Sequence, residues 1–165
     1  MSTTEEPRET AVEFGGVSPV LPVRDLAASI DCYVRRLGFT LDWEDGDTFA
    51  SVSRGRCTLF LCEGGQGHPG TWVWIGVDDV EALLEEYRGT GARIRHPPTN
   101  YPWALEMQVE DLDGNVLRIG SDSREGEPTG EWLDMHGRRW IPQPGGGWKL
   151  ADDSGGTASD HPDDS

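Results

Sequence analysis

Apolar and polar positions alternate cleanly over residues 72–79, Trp-Val-Trp-Ile-Gly-Val-Asp-Asp. Because side chains alternate across a strand, the three aliphatic residues share one face and Trp72 and Trp74 share the other. Apolar residues at helical spacing follow, with Asp79 placed as the helix-capping residue. This stretch therefore predicts a strand, a tight connection and a helix.

The same pattern occurs earlier in the chain. Residues 23–26 (Val-Arg-Asp-Leu) match residues 77–80 (Val-Asp-Asp-Val), and an apolar helical stripe ending near a glycine follows both. Two copies of one pattern predict two copies of one structural module.

Three further strands complete each module, so the pattern predicts an α+β fold. Two βαβββ modules are expected to form a curved mixed sheet with the helices on its outer face, followed by a small C-terminal β meander. Two prolines in the first strand predict either an edge strand or a segment that crosses to a neighbour. The predicted elements are Val17–Val23, Asp25–Leu37 (helix), Phe39–Glu44, Phe49–Ser53 and Cys57–Cys62, then Trp72–Val77, Asp79–Arg88 (helix), Ala92–His96, Trp103–Glu110 and Asn115–Gly120.

Shifts in composition divide the chain. Polar, aperiodic residues predict disorder at both ends. After Ser121 the composition turns to Glu, Gly and Pro, and Trp132, Trp140 and Trp148 then recur between turn-forming residues, which predicts a small meander that must dock to be stable. The predicted regions are a disordered segment 1–14, a domain 15–121 with modules 17–62 and 71–121, a linker and Trp-rich appendage 122–150, and a disordered acidic tail 151–165.

A net charge of −16 narrows the choice of partners. A phosphate-binding face needs clustered Lys and Arg, so nucleic acid is not expected, whereas a cationic ligand would be attracted by the field. The acidity is equally typical of a protein kept soluble in a saline cytoplasm. No apolar run approaches the ~20 residues that span a bilayer, and the polar start of the sequence does not look like a secretory signal, so we predict a cytoplasmic protein without membrane partners.

The doubled strand–helix–three-strand order resembles the vicinal oxygen chelate superfamily, which includes glyoxalases, extradiol dioxygenases, fosfomycin-type thiol transferases and bleomycin-resistance proteins. The resemblance covers roughly residues 17–121. Its motifs are Pro-Val-Leu-Pro-Val-Arg-Asp-Leu, Leu-Gly-Phe, Trp-Val-Trp-Ile-Gly-Val-Asp-Asp, Pro-Trp and the hairpin Asp-Leu-Asp-Gly-Asn-Val-Leu-Arg.

The resemblance implies four positions at which the enzymes of that superfamily hold a metal with His, Gln or Glu. Here those positions carry Ser18, Phe60, Trp72 and Arg118. Aromatic hydrocarbon rings and a fixed positive charge do not ligate a divalent ion. We therefore expect no metal, no cofactor and no catalysis. The alternative is a metal-dependent lyase, dioxygenase or thiol transferase with a different ligand set.

Alternation also indicates what covers the concave face instead. The residues predicted to share it are Phe49, Ser51, Thr58, Phe60, Cys62, Trp72 and Trp74. Aromatic walls with few polar groups are typical of a site for a sizeable organic ligand. Packing of these rings against one another, or against a second subunit, remains open from the pattern alone.

Local motifs are similar to the bleomycin-resistance branch, among them Leu-Gly-Phe-x-x-Asp-Trp, Phe-Ala-Ser-Val and Tyr-Pro-Trp. The resemblance implies a homodimer with exchanged N-terminal strands, which sequesters an antibiotic in grooves between the subunits. Phe49 and Trp103 match the two aromatic residues that stack on the flat part of the drug, and Pro19 matches the hinge of the exchange. A non-catalytic stress protein that binds another small molecule is the remaining alternative.

Acidic residues near Phe49 suit a cationic, partly planar ligand. Asp42 is the first candidate, and each of these residues could equally be a solvated charge. The acidic candidates are Asp42, Glu44, Asp45 and Asp47.

Overall fold

The computed structural model describes residues 15–151, which divide into two compact units between Thr71 and Trp72. The predicted disorder of 1–14 and, apart from Ala151, of 151–165 falls outside the described residues. In the part described, neither helix is long and apolar enough to cross a membrane.

The first unit is one βαβββ module with a four-stranded mixed sheet in the order β1-β4-β3-β2. Its first strand lies at the edge, as its prolines predict, and runs parallel to β4. It begins at Val20 rather than Val17, because Pro19 has no N–H for the ladder and contributes only its carbonyl, which accepts from the Phe60 N–H at 2.9 Å. The elements are β1 (Val20–Val23), α1 (Leu26–Asp31) with a π-helical continuation (Cys32–Arg36), β2 (Thr40–Asp45), β3 (Phe49–Arg54) and β4 (Cys57–Glu63).

One face of this sheet is buried under its helix. Asp25 caps α1 by accepting from the Ala28 N–H at 2.9 Å. Aliphatic residues of β3 and β4 alternate toward the helix, and Tyr33 is fully buried with them. Because side chains alternate along a strand, the intervening residues of β3 and β4 lie on the opposite face. The buried strand residues are Ala50, Val52, Leu59 and Leu61.

The second unit repeats the module in the order β5-β8-β7-β6, with β5 parallel to β8. Asp79 caps its helix, as predicted, and Gly91 ends it at φ 74°, a conformation that favours glycine. The strand predicted to stop at His96 continues to Asn100 through two prolines, because it is an edge strand interrupted by bulges. The elements are β5 (Trp72–Gly76), α2 (Val80–Thr90), β6 (Arg93–Asn100), β7 (Leu105–Glu110) and β8 (Val116–Ser121).

The Trp-rich segment forms the predicted three-stranded meander, with β9 (Trp132–Leu133), β10 (Arg139–Pro142) and β11 (Trp148–Leu150). It belongs to the second unit and packs against the βαβββ module there. Gly130 lies so close to β6 that a Cβ there would come within 2.3 Å of the Thr99 side chain. The α+β prediction of two βαβββ modules with a C-terminal meander is confirmed.

Candidate functional site

An aromatic face lies on the first unit, opposite its helix. Phe49 pairs with Cys62 and Ser51 pairs with Phe60, so these side chains share one side of the sheet. The Phe49 and Phe60 ring centroids are 5.5 Å apart.

Trp43 completes this face and was not among the predicted site residues. A bulge between Leu41 and Trp43 breaks the β2–β3 register, so Trp43 pairs with Ser51 instead of following Leu41 onto the helix side. Its ring centroid lies 5.8 Å from Phe49 and 5.7 Å from Phe60. We call Trp43, Phe49 and Phe60 the aromatic triangle; Trp43 is 45% exposed, so the triangle presents open ring surface.

Asp42 is the bulged residue, and it lies beside the aromatic triangle. Its two oxygens accept hydrogen bonds from the Ser51 hydroxyl at 3.0 Å and the Ser53 hydroxyl at 2.7 Å. The carboxylate is therefore held in place while it remains exposed. Of the other acidic candidates, Asp45 pairs with Phe49 on the same face, whereas Glu44 pairs with Ala50 on the helix side.

The second unit carries a buried charge on the corresponding side of its sheet. Glu106 is only 1% exposed. The guanidinium of Arg118 donates to both carboxylate oxygens, from Nε at 2.8 Å and from Nη2 at 3.0 Å. The indole N–H groups of Trp74 and Trp103 each donate to Oε2 at 3.1 Å. Four donors thus compensate one buried carboxylate.

Two glycines make room for the Trp74 ring. A Cβ on Gly76 would approach that ring to 3.3 Å, and a Cβ on Gly120 would approach it to 3.4 Å. The ring lies over the backbone of these two glycines and remains 54% exposed. Trp72, the other tryptophan of this strand, meets the meander through Trp132 at 6.3 Å between ring centroids.

Trp103 is held by its neighbours and still exposes 47% of its surface. It stacks on Tyr101 with centroids 4.9 Å apart and planes 8° apart, and Trp148 of the meander lies 5.9 Å away. Burial raises the pKa of Tyr101 to about 12, so its hydroxyl stays protonated and donates to the carbonyl of Glu131 at 2.7 Å.

Two polar side chains of the second unit anchor the meander. Gln108, which is buried, donates to the Leu133 carbonyl at 2.8 Å. Arg95 donates to the side-chain oxygen of Gln108 and to the carbonyl of Asp134, and its guanidinium lies 5.2 Å from the centre of the Trp72 ring.

Asp134 organises the meander itself. Burial alone would raise the pKa of this carboxyl. Hydrogen bonds from the Trp140 indole, from the Arg138 backbone and side chain, and from the His136 backbone outweigh that effect and hold the pKa well below its ordinary value. The β9–β10 turn is therefore built around a charged carboxylate.

Two cavities open where the meander meets the rest of its unit. One, of about 370 Å³, lies around Trp72, Trp132 and Trp140. The other, of about 510 Å³, we call the indole cavity. It is lined by Trp103, Arg118, Trp132, Trp140 and Trp148.

The four implied metal positions do not form a donor set for a divalent ion. Phe60 packs in the aromatic triangle, Trp72 faces Arg95, and Arg118 is bound to Glu106. Ser18 leaves one weak hydroxyl ligand. Among residues 15–151, no three His, Cys, Asp or Glu side chains are gathered in a way that could hold a metal ion.

A family model described as the Glyoxalase/Bleomycin resistance protein/Dioxygenase superfamily matches residues 16–119. Among solved structures, the chain is similar to the bleomycin-binding protein of Streptomyces verticillus, which was solved with copper(II)-bleomycin. The identity is 30%, the TM-score is 0.58, and the match covers 68% of this chain and 99% of that one.

Two further structures share the fold. TnmS3, an antibiotic-binding protein from Streptomyces sp. CB03234, is 24% identical with a TM-score of 0.60, over 68% of this chain and 99% of that one. TioX from Micromonospora sp. ML1 is 24% identical with a TM-score of 0.56, over 65% and 98%. A search of curated proteins gave no match.

We predict that Glu106→Gln destabilises the protein by about 3 kcal/mol, because it leaves the Arg118 charge without its buried counterion. Urea unfolding provides the measurement. The matched control is Glu85→Gln in the exposed Glu85–Arg88 pair, which we expect to cost no more than about 1 kcal/mol. Equal losses in the two variants would mean that the buried pair does not organise this face.

The depressed pKa of Asp134 predicts an acid transition of the meander. Because folding lowers the pKa of this carboxyl, its charged form stabilises the fold fully at pH values above the ordinary pKa of 3.8. This stabilisation is lost as the pH falls below 3.8 toward the folded pKa. Near-ultraviolet circular dichroism of the tryptophans, followed from pH 6 to pH 2, is expected to decline in this range. Asp134→Asn is expected to have a weaker signal at neutral pH and a flatter profile; identical profiles would contradict the assignment.

Proposed function

The chain belongs to the glyoxalase/bleomycin resistance protein/dioxygenase superfamily, and from that premise we propose that it is a non-catalytic antibiotic-binding protein. It sequesters a bleomycin-like, cationic and partly planar molecule in an aromatic groove between two subunits. The 30% identity to a bleomycin-binding protein, over 99% of that protein's length, supports antibiotic binding at the level of the family.

The observation that carries the proposal is the aromatic triangle with Asp42 beside it. Three mutually tilted rings, with centroids within 6 Å of one another, offer an apolar aromatic surface, and the exposed carboxylate adds a negative group beside it. A planar cation gains from stacking and from the charge together. The net charge of −16 increases the rate at which such a ligand arrives.

Trp103 supplies the second stacking surface in this proposal. Its stack on Tyr101 and its hydrogen bond to Glu106 fix the plane of the ring, so little rotamer entropy remains to be lost when a ligand binds. Ser51 takes part indirectly by orienting Asp42, and Phe60 by backing Phe49. Trp72 and Trp74 line the second unit's own share of the site.

Binding without catalysis agrees with the residues found at the four implied metal positions. Arg118 and two aromatic side chains replace metal ligands, and Arg118 is committed to Glu106. The site therefore offers binding surface rather than a Lewis acid.

A second copy of the chain completes the groove in this proposal. Val17 is 89% exposed and lies just before Pro19, where the chain turns into the edge strand β1. An exposed apolar residue on an N-terminal arm suits exchange with a partner subunit, because the partner would cover it.

We predict saturable binding of bleomycin, both metal-free and copper-loaded, at one drug per chain in isothermal titration calorimetry. Phe49→Leu keeps apolar volume but removes the ring, and we expect roughly tenfold weaker binding. Asp42→Asn keeps an accepting oxygen but removes the charge, and we expect a loss of several-fold that shrinks as salt is raised. Asp122→Asn, at an exposed position after β8, and Ile141→Ala, in the meander, are the controls.

Two results would contradict this proposal. One is the absence of binding to the wild-type protein. The other is unchanged affinity in Phe49→Leu, because the drug would then lie elsewhere. If bleomycin does not bind but another flat cation does so with the same dependence on Phe49 and Asp42, the protein sequesters a different small molecule.

We further predict that the protein sediments as a dimer at micromolar concentration. Val17→Asp is expected to shift it toward the monomer, because a charge would be buried in the exchanged arm. Ile141→Asp, another exposed apolar position, is the control. A wild-type monomer would remove the groove between subunits.

A further inference from the structure

We propose that the indole cavity is a second ligand site, which takes an uncharged, flat, multi-ring molecule bearing a carbonyl or similar hydrogen-bond acceptor. The cavity lies within the second unit and shares Trp103 with the proposed antibiotic groove, but it includes neither Phe49 nor a second chain. The inference goes beyond the sequestration of a cationic antibiotic, and Phe49→Leu tests the two proposals separately.

The lining of the cavity determines the shape of its ligand. Four of its five lining residues are tryptophans, one from the loop before β7 and one from each strand of the meander. Indole faces stack on flat ring systems and do not discriminate strongly among them. The volume of about 510 Å³ lies in the range of small-molecule sites.

Two of the indoles cannot serve as donors to the ligand. The Trp103 N–H donates to Glu106, and the Trp140 N–H donates to Asp134. These rings are locked in orientation by buried or hydrogen-bonded carboxylates. They therefore form preorganised walls, which lowers the entropic cost of binding.

Arg118 provides the polar contact. Its Nε and Nη2 are bound to Glu106, and within residues 15–151 no acceptor is described for Nη1. The side chain is 27% exposed and lines the cavity, so Nη1 remains to donate to a ligand oxygen.

Electrostatics exclude a strongly charged ligand. Glu106 already pairs with Arg118, so no free carboxylate is left there to attract a ligand cation, and the guanidinium would repel it. An anion would be repelled by the net charge of −16. Either ion would also lose its hydration between indole faces. An uncharged ring system with one acceptor matches all three conditions.

The meander that contributes three of the tryptophans to this cavity lies beyond the residues that the family model matches. The family match ends at residue 119, and Trp132, Trp140 and Trp148 all follow it. The cavity is therefore a feature that this chain adds to the shared fold.

The test uses two probes of the same ring shape with the full-length protein. Acridone is uncharged and carries a ring carbonyl, whereas 10-methylacridinium is a cation without that acceptor. We expect acridone to bind at one molecule per chain, followed by its own fluorescence. We expect 10-methylacridinium to displace it poorly; displacement at similar concentrations would overturn the proposed ligand class.

Variants locate the site. Trp148→Ala removes one wall, and we expect acridone affinity to fall about tenfold. Because this variant also loses packing on Tyr101, Arg118→Lys is the second test: it keeps all four indoles and a charge beside Glu106 but removes the guanidinium fork, and we expect a loss of several-fold. Ile141→Ala is the matched control, because Ile141 follows Trp140 in β10 and side chains alternate between the two faces of a strand.

Absence of acridone binding to the wild type would overturn the proposal. So would wild-type affinity in both Trp148→Ala and Arg118→Lys. Phe49→Leu separates the two sites: we expect it to weaken bleomycin and leave acridone unchanged, so either site can fail without the other.

Discussion

A single buried carboxylate dictates most of the second unit's open face. Glu106 is buried there, and Arg118, Trp74 and Trp103 all donate hydrogen bonds to its carboxylate, which compensates for the lost contact with water. Each donor is fixed in turn by that bond, so one desolvated charge orients two large rings and one guanidinium. Gln108, two residues further along β7, is also buried and must likewise be satisfied; the carbonyl of Leu133 satisfies it and thereby docks the meander.

The two units present different chemistry to a ligand. The first has an open patch of three rings with an exposed carboxylate, in which Asp42 is held by two hydroxyls but paired with no cation in the described structure. The second has a set of indoles beside a charge pair that is already neutral. In water a stacked cation gains most at the open, negative patch, whereas an uncharged ring gains most where it contacts several indoles. The two proposed ligand classes follow from this difference.

Local patterns were sufficient to predict the modules, because strand period, the caps at Asp25 and Asp79 and the hairpin turns act over a few residues. The bulge at Asp42 was missed, since strict alternation assigns Trp43 to the helix side and only cross-strand pairing reverses it. The Glu106–Arg118 pair could have been found: alternation puts both residues on one face, and the Asp113-Gly114 turn brings β7 against β8. Docking of the meander through Arg95 and Asp134 joins residues far apart in sequence, and no local signal predicts it.

The proposed loss of catalysis and the proposed gain of binding concern the same positions. Phe60, Trp72 and Arg118 are three of the positions at which the resemblance implies metal ligands in the superfamily's enzymes. Here Phe60 belongs to an aromatic patch, Trp72 packs against the meander and Arg118 binds a buried acid. Returning a carboxylate to position 118 would set two acids side by side with no counterion, so a metal site cannot be restored by one substitution. A sequestering protein needs tight binding of the ground state and gains nothing from stabilising a transition state. Rigid rings and a neutralised charge pair are suited to such binding.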